Sequence, residues 1–201
     1  MRHAPFYGWI HDYITFENIR VLPAVDPQQV SLKYVNTDLA TLAGFEGYLE
    51  IDATDWATLF ANLHYVEGQD RTRNGHFATE INGGGGSPST RDPTKPRGFY
   101  SGVVGASSEP LPSILPLETR LGVRVRPPSQ SSRWSAELAA RIVDAQHRVA
   151  TSLLETPTPG FTLWDLRGTW QATNSCLLIA GVENFTNKNF REHLDFRSPS
   201  G

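Results

Sequence analysis

Residues 118–126 read Glu-Thr-Arg-Leu-Gly-Val-Arg-Val-Arg. Every second residue from Leu117 gives Leu117, Thr119, Leu121, Val123 and Val125, a set without a charge. The interleaved set is Glu118, Arg120, Gly122, Arg124 and Arg126, all charged except the glycine. A β-strand sends successive side chains to opposite faces, whereas a helix of period 3.6 would scatter these charges around its circumference. The spacing therefore predicts a strand with one apolar and one charged face.

The same alternation recurs on both sides. In 35–51 the odd positions Val35, Thr37, Leu39, Thr41, Ala43, Phe45, Gly47, Leu49 and Ile51 are uncharged, and the even ones include Asn36, Asp38, Glu46 and Glu50. That length exceeds the ~5–6 residues usual in soluble sheets. Residues 56–67, 133–149, 161–173 and 175–184 alternate similarly, and 6–18 does so less cleanly because Asp12 shares a face with Ile10, Ile14 and Phe16. A helix competes over 136–150, which is rich in Ala, Glu and Arg, but the period of two holds there and strand is preferred. The expectation is an all-β chain of about seven long strands with no internal repeat.

Connections add a direction. They run roughly 12, 3, 47, 5, 10 and 1–2 residues, long and short in turn. An up-and-down antiparallel sheet places alternate turns at opposite ends, so one end carries tight turns and the other long loops. Outer-membrane barrels have this asymmetry, with short periplasmic turns and longer extracellular loops. The long connections are expected near Pro23 and Pro27, over 68–114 around the run Gly83-Gly84-Gly85-Gly86, and over 150–159. Trp56, Trp134 and Trp170 lie beside the short turns, where an interfacial girdle would sit, although Trp56 lacks the apolar-face parity. A soluble antiparallel sandwich also alternates. Against it stand the strand lengths and a connection about three times the ~12–15 residues that compact domains tolerate.

Composition narrows the classes further. The chain has 201 residues, a formal charge of −3 and one cysteine. Its mean hydropathy is −0.35 and its pI about 6.1. This balance opposes a nucleic-acid reader and a polybasic membrane-surface protein, and one cysteine excludes internal disulfides and multi-cysteine metal sites. The apolar run 176–182 is far short of the ~18 residues of a helical membrane span. A membrane β-barrel survives all of these tests, since its strands look soluble on average.

Three segments carry a family resemblance. The first is Tyr34-Val35-Asn36-Thr37-Asp38-Leu39-Ala40 with Gly44-Phe45-Glu46. The second is Glu109-Pro110-Leu111-Pro112-Ser113-Ile114-Leu115-Pro116-Leu117 with Leu121-Gly122-Val123-Arg124. The third joins Thr158-Pro159-Gly160-Phe161 to Ala180-Gly181-Val182-Glu183-Asn184-Phe185-Thr186-Asn187-Lys188-Asn189-Phe190-Arg191-Glu192-His193. Together with Asp12-Tyr13-Ile14 they resemble the C-terminal part of the β-barrel of TonB-dependent outer-membrane receptors. Asn187 and Phe190 stand where that family often has Asp and Tyr. The resemblance implies a 22-stranded barrel filled by an N-terminal plug, located in the outer membrane. It also implies uptake of a scarce nutrient (siderophore-, haem- or cobalamin-like) with energy from the TonB system, and no bond chemistry. Its partners would be outer-membrane lipid, the remaining strands and plug of the receptor, the TonB system acting through that plug, and an unassigned nutrient, with no nucleic acid. No signal peptide, plug or final strand is read in 1–201, so the expectation is a receptor fragment of about seven of the last eight strands. Such a fragment would neither close a barrel nor transport by itself. Another outer-membrane barrel of porin type and a soluble β-sandwich binding module are the alternatives.

No catalytic constellation emerges. His3, His11, His64, His76, His147 and His193 include no pair at i, i+4 or i, i+2, Cys176 is solitary, and the glycine run lacks a phosphate-loop lysine. Structural or solvated roles are expected for the histidines. No residue is assigned as catalytic, cofactor-binding or metal-binding, no cofactor is expected, and ligand-binding residues are left unassigned. Glu46, Glu50, Glu118, Arg120, Arg124, Glu137, Arg141, Asp165, Arg167 and Glu183 are expected to line a polar barrel interior, paired across strands or to a plug.

Overall fold

In a computed structural model of the chain, the described residues are 1–22, 29–71, 108–128, 133–150 and 155–195. They form β1 (Arg2–Leu22), β2 (Gln29–Thr54), β3 (Ala57–Asp70), the two-residue β4 (Glu109–Pro110), β5 (Glu118–Val125), β6 (Trp134–Val143), β7 (Phe161–Thr173) and β8 (Cys176–Val182). One antiparallel sheet has the order β1-β2-β3-β5-β6-β7-β8, with β4 paired to the end of β3 beyond β5. The sheet is open: β1 and β8 each have one neighbour.

Register turns the alternation into two surfaces. Ile51, Leu59, Val123, Leu138, Leu166 and Val182 are consecutive partners across six strands. Leu59, Leu166 and Val182 are 49%, 49% and 56% exposed, so no described residue covers this row. One step along the strands, Asp52, Thr58, Arg124, Glu137 and Arg167 form a row on the opposite face. The cross-strand pair Trp134–Trp170, with Leu178 next to it, closes the apolar face at the tight-turn end. From Trp134 to Ile142 the apolar positions of β6 span eight residue steps, ~27 Å along the strand, or ~21 Å of height at a ~40° tilt. That approaches the ~25 Å apolar band of an outer-membrane barrel.

Several boundaries differ from the sequence reading. Strand β6 stops at Val143 rather than Val149. The register itself carries on, with Asp144 N–H donating to Leu117 O at 2.9 Å and Gln146 in an isolated bridge with Thr158, but the side-chain phase inverts: after Ile142 the even positions are Asp144, Gln146 and Arg148, and the apolar Val143, Ala145 and Val149 are odd. The stretch expected as a loop from residue 68 begins later, because Gly68, Gln69 and Asp70 still belong to β3, and Glu109 and Pro110 pair with its end. The first connection is shorter than expected: β1 runs to Leu22 and β2 begins at Gln29, leaving 23–28. That connection, with Pro23 and Pro27, lies outside the described residues, as do the run Gly83–Gly86 and His76. Trp56 belongs to the turn Asp55–Trp56, where strand parity does not apply. Asp12 has φ 53°, yet the β1–β2 ladder keeps its register across it, from His11–Leu39 to Tyr13–Thr37, so Ile10 and Ile14 pair with Ala40 and Asn36 and share the charged-face parity of β2.

Candidate functional site: the charged face and its cap

Every residue expected to line the interior lies on one face, and most are joined into ion pairs. Arg124 reaches Glu137 at 3.0 Å and Glu50 at 3.4 Å, and Arg120 lies 3.5 Å from Glu137 and 3.8 Å from Asp165. Arg167 meets Glu183 at 3.0 Å. The exposed Arg167–Glu183 pair contributes only ~0–1 kcal/mol, while Glu137 and Asp165 are part-buried and depend more on their arginines. The main effect of these pairs is to neutralise charge on a wall that a wet lumen would hydrate. Midway along the sheet, short of the long-connection end, Arg2, Glu46, Tyr48, Asn62, His64 and Glu118 line a shallow cleft of about 500 Å³. His64 Nε2 is 3.9 Å from Glu46 there.

The long-connection end carries a cap that the separate motifs build together. Residues 111–117 cross this face over Gly68. Leu111 N–H donates to Gly68 O at 3.0 Å. A Cβ on Gly68 would fall 2.8 Å from Ile114 Cδ1, 3.0 Å from Leu111 Cδ1 and 3.1 Å from Leu42 Cδ2. Leu111 is fully buried as a result. Glu155 then ties three segments: it accepts from Ser113 N–H at 2.8 Å, from Ala150 N–H at 2.6 Å, and pairs with His193 Nε2 at 3.2 Å. His193 Nδ1 meets the Thr158 hydroxyl at 3.1 Å, and the imidazole is almost wholly buried. Buried polar groups are costly unless bonded, and each of these is bonded. Gly160 lets its backbone press on β6: a Cβ there would lie 2.7 Å from Val143 O and 2.8 Å from Ala145 N.

After β8 the chain folds back onto the charged face as a strap, 183–195. Asn184 starts it in the left-handed region (φ 47°). Its amide donates to Lys188 O and accepts from Lys188 N–H, both at 2.9 Å, closing the loop as a backbone pair would. Asn187, also left-handed (φ 52°), donates its N–H to Asn184 O at 2.8 Å. Farther on, Phe190 stacks on Phe161 at 4.7 Å between centroids, and Glu192 pairs with Arg141 at 2.6 Å.

His193 is thus a buried structural histidine, in line with the role expected for it, but its joining of the cap was not visible beforehand. Glu155 drew no notice in the sequence, being a lone carboxylate in a connection. The only advance signal was that Ser113, Thr158 and His193 each lie in a quoted motif. Cys176 is exposed at the tight-turn end. Among the described residues no three His, Cys, Asp or Glu side chains gather as a metal-binding group.

Comparison with known proteins agrees with this architecture. No curated protein sequence matches the chain. Among solved structures, the copper transporter OprC superposes with a TM-score of 0.67 at 23% identity, covering 96% of this chain and 24% of that one. The likeness is one of fold, and the chain spans about a quarter of that neighbour's length. The family model described as TonB dependent receptor-like, beta-barrel, matches residues 4–185. The chain belongs to the TonB-dependent receptor-like β-barrel family.

Proposed function

We propose that this chain is a wall segment of an outer-membrane receptor that imports a scarce nutrient with energy from the TonB system. The observation that carries the reading is the two-faced sheet: an uninterrupted apolar row over six strands, backed by an ion-paired face with its own cap. In this reading the apolar face meets lipid and the charged face lines the lumen. The tight turns then lie at the periplasmic end, and the 68–114 connection and the cap at the extracellular end. The free edges of β1 and β8 would leave backbone groups unpaired in lipid at several kcal/mol each, so the other strands of the receptor complete the sheet. The plug, likewise supplied by the rest of the receptor, engages TonB. The wall performs no bond chemistry.

The test is growth and radiolabel uptake in cells deleted for the receptor that carries this chain, supplied with ferric siderophores, haem, cobalamin or copper, the last because OprC is a copper transporter. Loss of uptake of one nutrient, restored by the receptor and abolished by removing TonB, supports the reading. Uptake of every nutrient unchanged by the deletion refutes it.

A further inference from the structure

Arg141 sits on the charged face with both edges of its guanidinium occupied. Nε and Nη2 donate to Glu118 at 2.8 and 2.7 Å, a two-point fork. Nη1 and Nη2 donate to Glu192 at 2.6 and 3.4 Å, a second fork. Glu118 belongs to the wall, next to Arg141 on β5. Glu192 belongs to the strap. The Phe161 ring, which belongs to the wall and is itself covered by Phe190 of the strap, lies 5.6 Å from the guanidinium carbon.

The strap's attachment is mostly polar. Its apolar side chains Phe185, Phe190 and Leu194 remain 49%, 41% and 49% exposed. It is held by Glu192 on Arg141, the buried His193 on Glu155 and Thr158, Arg191 Nη2 on Pro157 O at 3.5 Å, and Phe190 on Phe161, with Phe185 N–H on Trp164 O and Asn184 N–H on Asp165, each at 3.0 Å, at its root. Its root is a pair of left-handed asparagines. Segments with few buried apolar contacts open at lower free energy than core strands, and a few loop residues suffice as the hinge.

We propose that the Nη1–Nη2 edge of Arg141 is an anion-binding fork that Glu192 fills from within, and that a carboxylate- or phosphate-bearing ligand entering the lumen displaces Glu192 and releases the strap. A guanidinium fork matches carboxylate and phosphate oxygens equally well, so Glu192 stands in for the ligand. Once Glu192 leaves, Arg141 keeps its neutralising partner Glu118 and its stacking on Phe161, and presents two donors already aimed. The inference deepens the transport reading by naming an anionic group on the cargo. A receptor that imports none of the tested nutrients would still report the strap's position, so the two readings fail separately.

The experiment is pulsed electron paramagnetic resonance on the complete receptor in lipid nanodiscs. One spin label is placed on the native exposed Cys176 and the other on Leu194→Cys in the strap. The unmodified strap should give one narrow distance. Millimolar citrate should add a second, broad distance, and sodium chloride at matched ionic strength should not. Glu192→Gln should raise the undocked fraction about tenfold without ligand, in line with losing one charge-assisted contact. Citrate should then add little. If Glu192→Gln fails to fold, as read by heat-modifiable mobility, the citrate and chloride arms on the otherwise native protein decide. A distribution unmoved by citrate overturns the anion fork, whether or not Glu192→Gln opens the strap.

Discussion

Placing arginine at Leu138 tests the facing of the wall most sharply. Leu138 lies midway along the apolar positions of β6, four residues from Trp134 and four from Ile142, and its cross-strand partners are Val123 and Leu166. Four residues at ~3.4 Å and a ~40° tilt put it ~10 Å from the Trp134–Trp170 pair, close to the middle of a ~25 Å band. A lipid-facing arginine at that depth costs about 2–4 kcal/mol, or about 30- to 900-fold in the folding equilibrium. Ala136→Arg, on the same face but ~5 Å from the pair, should cost less. Glu137→Gln, one residue from Leu138 on the other face, removes the charge that Arg124 and Arg120 share but keeps an acceptor for them, and should cost about 1 kcal/mol. The assay is urea titration of the complete receptor in lipid vesicles, read by heat-modifiable mobility. A Leu138→Arg cost no greater than that of Glu137→Gln would refute the assignment of faces.

Three further outcomes follow from the cap. Gly160→Ala would drive a methyl into the backbone of β6 near Val143 and should cost about 1–3 kcal/mol in the same titration. Asn184→Ala removes both side-chain bonds to Lys188 and disfavours the left-handed backbone; trypsin should then cut after Lys188 or Arg191 several-fold faster, while cutting elsewhere is unchanged. Glu155→Ala strands the amides of Ser113 and Ala150; their hydrogen exchange should quicken by about tenfold or more, with the strands β5 and β7 unaffected.

Much of the wall could be read from the sequence because the side-chain period of two is intrinsic to a strand. Thr119, Leu121, Val123 and Val125 needed no partner to declare a face, and their neighbours on β3 and β6 carried the same pattern. What escaped was decided between strands. Alternation persists through 144–149 but in the opposite phase, and β6 ends at Val143, with only the Asp144–Leu117 bond and the isolated Gln146–Thr158 bridge carrying its register further. Trp56 lacked the girdle parity because it lies in a turn, and the faces of β1 are set by its pairing with β2, which puts Ile10 and Ile14 opposite Ala40 and Asn36. The cap was illegible for a similar reason. Glu155 joins Ser113, Ala150 and His193, residues whose proximity follows from β-strand order and not from any local pattern. The charged face was named residue by residue from parity, but the sharing of Arg141 between Glu118 and Glu192 depends on a strap that no periodicity announces.

The central claim is that one face of this sheet meets lipid and the other meets water. The direct measurement is a cysteine scan along β6, Trp134–Val143, in the complete receptor in native outer membranes with Cys176 replaced by serine. Each variant is exposed to a bilayer-dissolved and to a membrane-impermeant aqueous thiol reagent. The account expects positions 134, 136, 138, 140 and 142 to take the lipid reagent, and 135, 137, 139 and 141 to take the aqueous one wherever neighbours leave room. Aqueous labelling of both sets would contradict a membrane wall and return the sheet to a soluble sandwich.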